Sequence, residues 1–389
     1  MDTIQKGILM LIKSAITGEA QPVPAGFVLM DAAAIIREHQ LGTLIYTGAV
    51  HCGFSAADPV IRGLLRDVTG LMILGERQRR AVGRVCRAFA EQNIDFMPLK
   101  GTLMQKRYPN PDLRRMGDAD ILIRVEQYEM ICPILKELGF EEIQTSDHEL
   151  IWKSPDLLLE LHKRLIPTYN RDYYAYFGDG WRLATIKKGT RYGMSQVDEY
   201  IYLFTHFAKH YRDGGIGCRH VLDLWVMRRC MKEPDMDYVR TELKKLSLDQ
   251  FHENMERVIS NWFEDGPEDA VTELITQYIF SSGSWGLLKN HVLAADLRQY
   301  CNHKKKGKDY LRVLFPEREA MQYAYPIVIK APWMIPLVWI WRWIATLLFR
   351  RKRIQQRITR LNMSDEQAVD DYQRALDAVG LRFKFQENV

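Results

Sequence analysis

Two runs decide how the middle of this 389-residue chain folds: Pro98-Leu99-Lys100-Gly101-Thr102 and Gly117-Asp118-Ala119-Asp120-Ile121-Leu122-Ile123. Before the first, Ile94, Phe96, Met97 and Leu99 make a short apolar strand that stops at Lys100-Gly101. Helical spacing then runs from Thr102 to Tyr108 and ends at Pro109 and Pro111. In the second run an acidic pair leads into three aliphatic residues, which reads as a second strand. Side chains two apart on a strand leave the same face, so Asp118 and Asp120 point the same way.

The pattern outward from this pair alternates between periods. Gln127 to Leu138 predicts a helix closed by Gly139, with Pro133 as its kink or a first-turn residue. Glu149–Lys153 and Asp156–His162, parted by Ser154-Pro155, predict a strand hairpin. Upstream, Phe27–Arg37 and Ile61–Gln92 carry apolar residues three and four apart, the spacing of amphipathic helices. From about Ser195 the helical period returns and holds to the end, and Lys304-Lys305-Lys306-Gly307-Lys308 reads as a solvated loop. The expected division is an N-terminal helical region over 1–92, an α/β core over 93–194 and a C-terminal helical domain over 195–389.

Composition narrows the class. Apolar residues make up 47% and charged residues 26%, the balance of a soluble globular protein. A net charge of +5 on this length argues against a nucleic-acid partner. The six cysteines form no C-x-x-C pair, and a chain of this size needs no disulfide staples, so they read as reduced thiols in a cytoplasmic protein. The apolar run Ile8 to Ile12 falls short of the roughly seven to fifteen residues of a signal peptide. Trp333 to Phe349 is nearly all apolar, but Arg342 near its middle opposes insertion by about 2.5–3.5 kcal/mol. The expectation there is a helix buried against the core. Contact with a membrane surface through 333–353, aided by Arg350-Arg351-Lys352-Arg353, is the less favoured reading.

The chemistry gathers in the middle unit. Two ionised carboxylates side by side repel, and a divalent cation such as Mg²⁺ removes the conflict while phosphate oxygens complete its coordination. Glu160 and His162 share a face of the later strand, so Glu160 supplies a third carboxylate if the two strands are neighbours. Three carboxylates around a divalent ion suit in-line displacement at a phosphate. The strand–turn–helix at Leu99-Lys100-Gly101-Thr102 offers free N–H groups, a close backbone approach at Gly101 and the charge of Lys100. Arg114 and Arg115 stand just before the acidic strand, where guanidinium groups can hold a triphosphate bidentately.

This ordered set resembles the nucleotidyltransferase superfamily related to DNA polymerase β over residues 93–165. More closely, Pro98-Leu99-Lys100-Gly101, Tyr108, Arg114 or Arg115, Asp118-Ala119-Asp120-Ile121-Leu122-Ile123 and Glu160-Leu161-His162 look like an uncharacterised bacterial nucleotidyltransferase family with an L-K-G turn. His206-Phe207-Ala208-Lys209-His210 and the Trp333–Pro336 stretch also fit that family. The resemblance implies an α+β fold: a small mixed-sheet nucleotidyltransferase core, flanked by N-terminal helices and a large C-terminal helical region.

It further implies that Asp118 and Asp120 hold Mg²⁺ (or Mn²⁺), with Glu160 completing the site or acting as base. Lys100, Gly101, Thr102, Arg114, Arg115 and His162 are then the candidate nucleotide contacts. The superfamily's usual turn is Gly-Ser or Gly-Gly, and here Thr102 stands in the serine's place. The implied reaction moves an NMP group from an NTP to a hydroxyl or amine of an acceptor (a small molecule, a saccharide or a protein) and releases pyrophosphate. Two rivals stand beside it. One is a non-catalytic nucleotide-binding or regulatory, antitoxin-like protein with the same fold. The other is a helical metal-dependent hydrolase centred on His206, His210 and Asp213, although no Glu follows His206 as an H-E-x-x-H site requires.

Overall fold

The computed structural model describes residues 1–146, 148–284, 286–302, 321, 331–349 and 366–382. The chain divides into two compact units, residues 1–286 with 377–389, and residues 287–376. The Lys304–Lys308 run and the basic run from Arg350 to Arg353 lie outside the described residues.

In the first unit α1 (Thr3–Thr17) starts on a capping box. The Asp2 carboxylate accepts from the Gln5 backbone N–H at 2.7 Å, and the Gln5 side chain accepts from the Asp2 N–H at 3.1 Å. After α2 (Ala33–Glu38), α3 (Gly42–His51) crosses α1 backbone to backbone. A Cβ on Gly48 would stand 1.9 Å from the Leu11 carbonyl oxygen, so only glycine allows this approach. Gly48→Ala is therefore expected to destabilise the unit by about 3 kcal/mol through overpacking, read as a lowered midpoint in urea with an unchanged slope. The 33-residue α4 (Pro59–Glu91) begins at Asp58, whose carboxylate accepts from the Val60 N–H, and at Pro59, which has no N–H to leave unpaired. It lays Ala81, Val85 and Phe89 on the sheet.

The sheet holds β1 (Phe96–Pro98), β2 (Ala119–Ile123), β3 (Glu141–Thr145), β4 (Glu149–Lys153), β5 (Leu158–His162), β6 (Thr185–Lys188) and β7 (Arg191–Gly193), in the order β3-β4-β5-β2-β1-β7-β6. The expected hairpin is the antiparallel pair β4–β5. β2 lies parallel to β5 and antiparallel to β1, with Asp120 opposite Glu160 and Leu122 opposite His162. Alternation then sorts the faces. Ala119, Ile121, Ile123, Leu159 and Leu161 join the core beneath α4 and α6 (Tyr128–Glu137), and the opposite face receives Asp120, Glu160 and His162. Pro133 stands inside α6, beyond its first turn, and the helix runs through it.

Three strands carry no apolar alternation and escape a sequence reading. β3 is exposed throughout, β6 likewise, and β7 is half-buried; β6 and β7 form a polar hairpin across Gly189, whose φ is 55°. α5 (Lys100–Met104) starts two residues earlier than the expected helix and passes into a single 3₁₀ turn at Gln105–Arg107. The helical period after Ser195 appears as α8 (Gln196–Asp213), α9 (Cys218–Arg228), α10 (Glu233–Lys245), α11 (Asp249–Phe263) and α12 (Ala270–Ser282), preceded by the short α7 (Arg171–Phe177).

The second unit contains α13 (Leu288–Asn302), α14 (Ile335–Phe349) and most of α15 (Glu366–Ala378). The expected helix after Trp333 forms, but burial is confined to one side. Val338 is 7% exposed, whereas Trp333 is 74% and Trp341 60% exposed. Among the described residues no helix is long and apolar enough to cross a membrane.

Candidate active site

The site is built at the end of β2. Asp118 immediately precedes the strand and Asp120 is its second residue; Glu160 and His162 arrive on β5 through the parallel register. Ligand atoms of Asp120, Glu160 and His162 lie within 4.8 Å of one another. The Asp120 Oδ1 accepts from Lys100 Nζ at 2.8 Å and from His162 Nε2 at 2.7 Å, and His162 Nε2 is 3.6 Å from a Glu160 oxygen. His162 Nδ1 is buried with no partner.

Electrostatics separates the two aspartates. Burial raises the Asp118 pKa to about 6, and the neighbouring charges of Asp120 and Glu160 add to the effect. At Asp120 burial also opposes ionisation, but the Lys100 ammonium and the His162 hydrogen bond hold its carboxyl well below the usual carboxylate range. Lys100 keeps its proton in turn: burial works against its charge, but Asp120, Tyr202 and Glu160 together outweigh burial and raise its pKa.

The turn that carries Lys100 has its own local geometry. Lys100, not Gly101, takes the left-handed conformation, with φ 39°, a strained value for a side chain of this size. Space at Gly101 is tight, since a Cβ there would meet Arg114 Nη1 at 3.2 Å and the guanidinium would have to give by a few tenths of an ångström. The Thr102 hydroxyl donates to the Leu99 carbonyl at 2.8 Å and so closes the turn it belongs to.

Arg114 is engaged away from the carboxylate cluster. Its Nε and Nη2 donate to the two Asp223 oxygens at 3.2 and 2.8 Å, and Nη1 donates to the Arg115 carbonyl at 2.9 Å. The Tyr108 hydroxyl donates to the same Asp223 oxygen as Nε at 2.7 Å, completing a buried network that joins the core to α9. Arg115 lines a small crevice beside Gln78 and Arg79 of α4.

Groups that sequence reading passed over complete the surroundings. Glu149 opens β4 opposite His162, and burial followed by the Glu160 charge raises its pKa. His148 packs edge-on against His162 with ring centroids 5.0 Å apart, and burial, His162 and Lys209 drive its pKa down to about 2. The position of Glu149 at the head of the predicted hairpin was the available signal; nothing in the sequence pointed to His148. From α8, Tyr202 places a buried hydroxyl beside Lys100 and Asp120.

His206 and His210, one turn apart, share an Nε2–Nε2 hydrogen bond of 3.0 Å, and burial with the nearby Lys100 keeps His206 neutral. Among the described residues the three-ligand clusters are Asp120–Glu160–His162 and His148–Glu149–His162, and neither includes His206, His210 or Asp213. The helical-hydrolase reading therefore finds no metal cluster.

The solution structure of the antibiotic-resistance factor ANT(2'')-Ia is similar at 12% identity, over 46% of this chain and 97% of that one, with a TM-score of 0.33. No curated protein matches the chain. The profile of a family described as "Uncharacterised nucleotidyltransferase" matches residues 30–264, more than half of the chain, from α2 through the whole sheet to the end of α11. The chain belongs to that uncharacterised nucleotidyltransferase family.

Proposed function

We propose that the protein transfers an NMP group from an NTP to a hydroxyl or amine of an acceptor, with release of pyrophosphate. The observation that carries this reading is the β2–β5 register, which gathers Asp120 and Glu160 on one face beside Asp118. The donor set fits a hard divalent ion. Its members are carboxylate oxygens, and burial with the charges of Asp120 and Glu160 makes ionised Asp118 costly until a cation is present. Asp118, Asp120 and Glu160 would hold Mg²⁺ or Mn²⁺, which when bound supplies positive charge for the phosphate oxygens.

The chain's own groups divide the remaining work. Lys100 and the Gly101–Thr102 turn face the phosphates, Arg115 and His162 are further nucleotide contacts, and Glu160 accepts the acceptor's proton. Arg114 acts through the Gly101 turn that it backs. The three sequence parts, 1–92, 93–194 and 195–389, are read as support, catalytic core and acceptor side. Cys52, Cys86, Cys132, Cys218 and Cys230 are free thiols.

Calorimetric titration of the four NTPs with Mg²⁺, followed by pyrophosphate detection with lysate fractions as acceptors, tests the proposal. Metal-dependent binding with turnover is expected. Binding without turnover in any fraction would favour the non-catalytic reading, and no NTP binding would overturn both. A pH dependence follows from Asp118. It holds a proton below about pH 6 and must lose it to bind a cation. Mn²⁺ affinity, read by electron paramagnetic resonance, is thus expected to fall about tenfold per pH unit below that point. A flat profile from pH 5 to 7.5 would remove Asp118 from the ligand set.

A further inference from the structure

We propose that α14 is a peripheral membrane anchor whose outer face lies in the headgroup region of an anionic bilayer. The helix has two apolar sides. One packs: Val338 is buried with Met321, and Met334, Ile335 and Trp339 close around them. The other is open, with Leu337 55%, Ile340 48% and Trp341 60% exposed, and Trp333 at 74% one turn before Leu337. Residues 337, 340 and 341 stand three and four apart and so form one stripe. A surface helix of a water-facing protein carries polar residues on its outer side; this one carries tryptophan, leucine and isoleucine.

Charge identifies what covers the stripe. From 333 to 364 the sequence holds seven Lys or Arg and no Asp or Glu, in a chain whose totals are nearly balanced at 54 against 49. Apolar and tryptophan-rich faces next to one-signed basic sequence are the signature of helices that lie in an anionic lipid interface. Tryptophan prefers that depth because its ring is apolar and its N–H still reaches water or headgroups. Length decides between lying on and passing through. The 15 residues of α14 reach about 22 Å, short of the roughly 30 Å hydrocarbon core, and Arg342 sits at their middle. The anchor is independent of the proposed reaction.

Full-length protein sedimented with phosphatidylcholine vesicles, and with vesicles containing phosphatidylglycerol, tests the anchor. Binding is expected on the anionic vesicles and is expected to weaken with salt, each basic group being worth about fivefold in partition. Leu337→Glu with Trp341→Glu is expected to lower it at least tenfold while NTP binding stays unchanged. A milder pair, Trp333→Phe with Trp341→Phe, keeps the stripe apolar. It should retain binding but lose most of the fluorescence quenching by brominated lipid seen in the wild type. Equal sedimentation on both vesicle types, or Glu variants that bind like the wild type, would overturn the proposal. So would a wild-type dimer that ignores vesicles and dissociates in the Glu variant, since a second copy of the chain would then cover the stripe.

Discussion

Asp118→Asn is expected to abolish nucleotidyl transfer, by about 10³-fold or more, while leaving the protein as stable as the wild type or more so. Both halves come from one cause. Asp118 is buried and faces the charges of Asp120 and Glu160, and in the folded protein its pKa rises from 3.8 to about 6. A raised acid pKa means that the folded state holds the proton more tightly than the unfolded chain. The contribution of this group to stability is therefore greatest below the unfolded value and is lost as pH rises toward 6. Asparagine removes the charge and with it that loss, so the stability gap between variant and wild type should widen in the variant's favour from pH 4 to pH 7.

Asp120 is a less clean target. It neutralises buried Lys100 and orients His162, so Asp120→Asn is expected to lose stability as well as activity. The double variant Asp118→Asn/Asp120→Asn should likewise lose metal-dependent NTP binding. If Asp118→Asn turned over NTP at the wild-type rate, or lost activity only by unfolding, the assignment of the metal-binding carboxylates would fail.

Asp223→Ala is expected to destabilise the first unit by about 3–5 kcal/mol. On a unit of this size that lowers the melting temperature by roughly 5–8 °C. The Arg114 and Asp223 side chains are 9% and 1% exposed, and Tyr108 binds the same carboxylate. Truncating the acid strands a guanidinium where water cannot reach it. Removing both charges together, as Arg114→Met with Asp223→Leu, is expected to restore most of the loss, because the penalty lies in the unpaired charge and not in the absence of a pair. Arg114→Lys should keep part of the stability but raise the KM for NTP, since an ammonium cannot brace Gly101 and grip both carboxylate oxygens as a planar fork does. A loss below 1 kcal/mol for Asp223→Ala would show that the network is solvated and that Arg114 is available for phosphate.

The likeness between expectation and structure depends on distance along the chain. Strand period two put Glu160 with His162 on the later strand, and β2 and β5 became neighbours, whereas Asp118 stands just before β2 and only Asp120 is carried on it. The boundaries of α4, α6 and the β4–β5 hairpin followed from capping, turn and periodic signals lying within the segments themselves. β3, β6 and β7 left no such signal because their side chains carry no apolar alternation, and ladder hydrogen bonds, which any residue but proline can make, hold them.

By itself, then, the sequence determined that Glu160 and His162 share a strand face, where the turn before α5 falls and that helices precede and follow the sheet segments, since each rests on local backbone pattern. Only the tertiary structure decided how the charges are used. Arg114 meets Asp223 across 109 positions, and His148 and Glu149 come to His162 through strand pairing. Tyr202 and His206 reach Lys100 from α8. The open stripe of α14 belongs with these, because an apolar run reads alike whether protein or something else covers it. Partner choice for a long charged or apolar side chain is set by packing in space, and no local pattern encodes it.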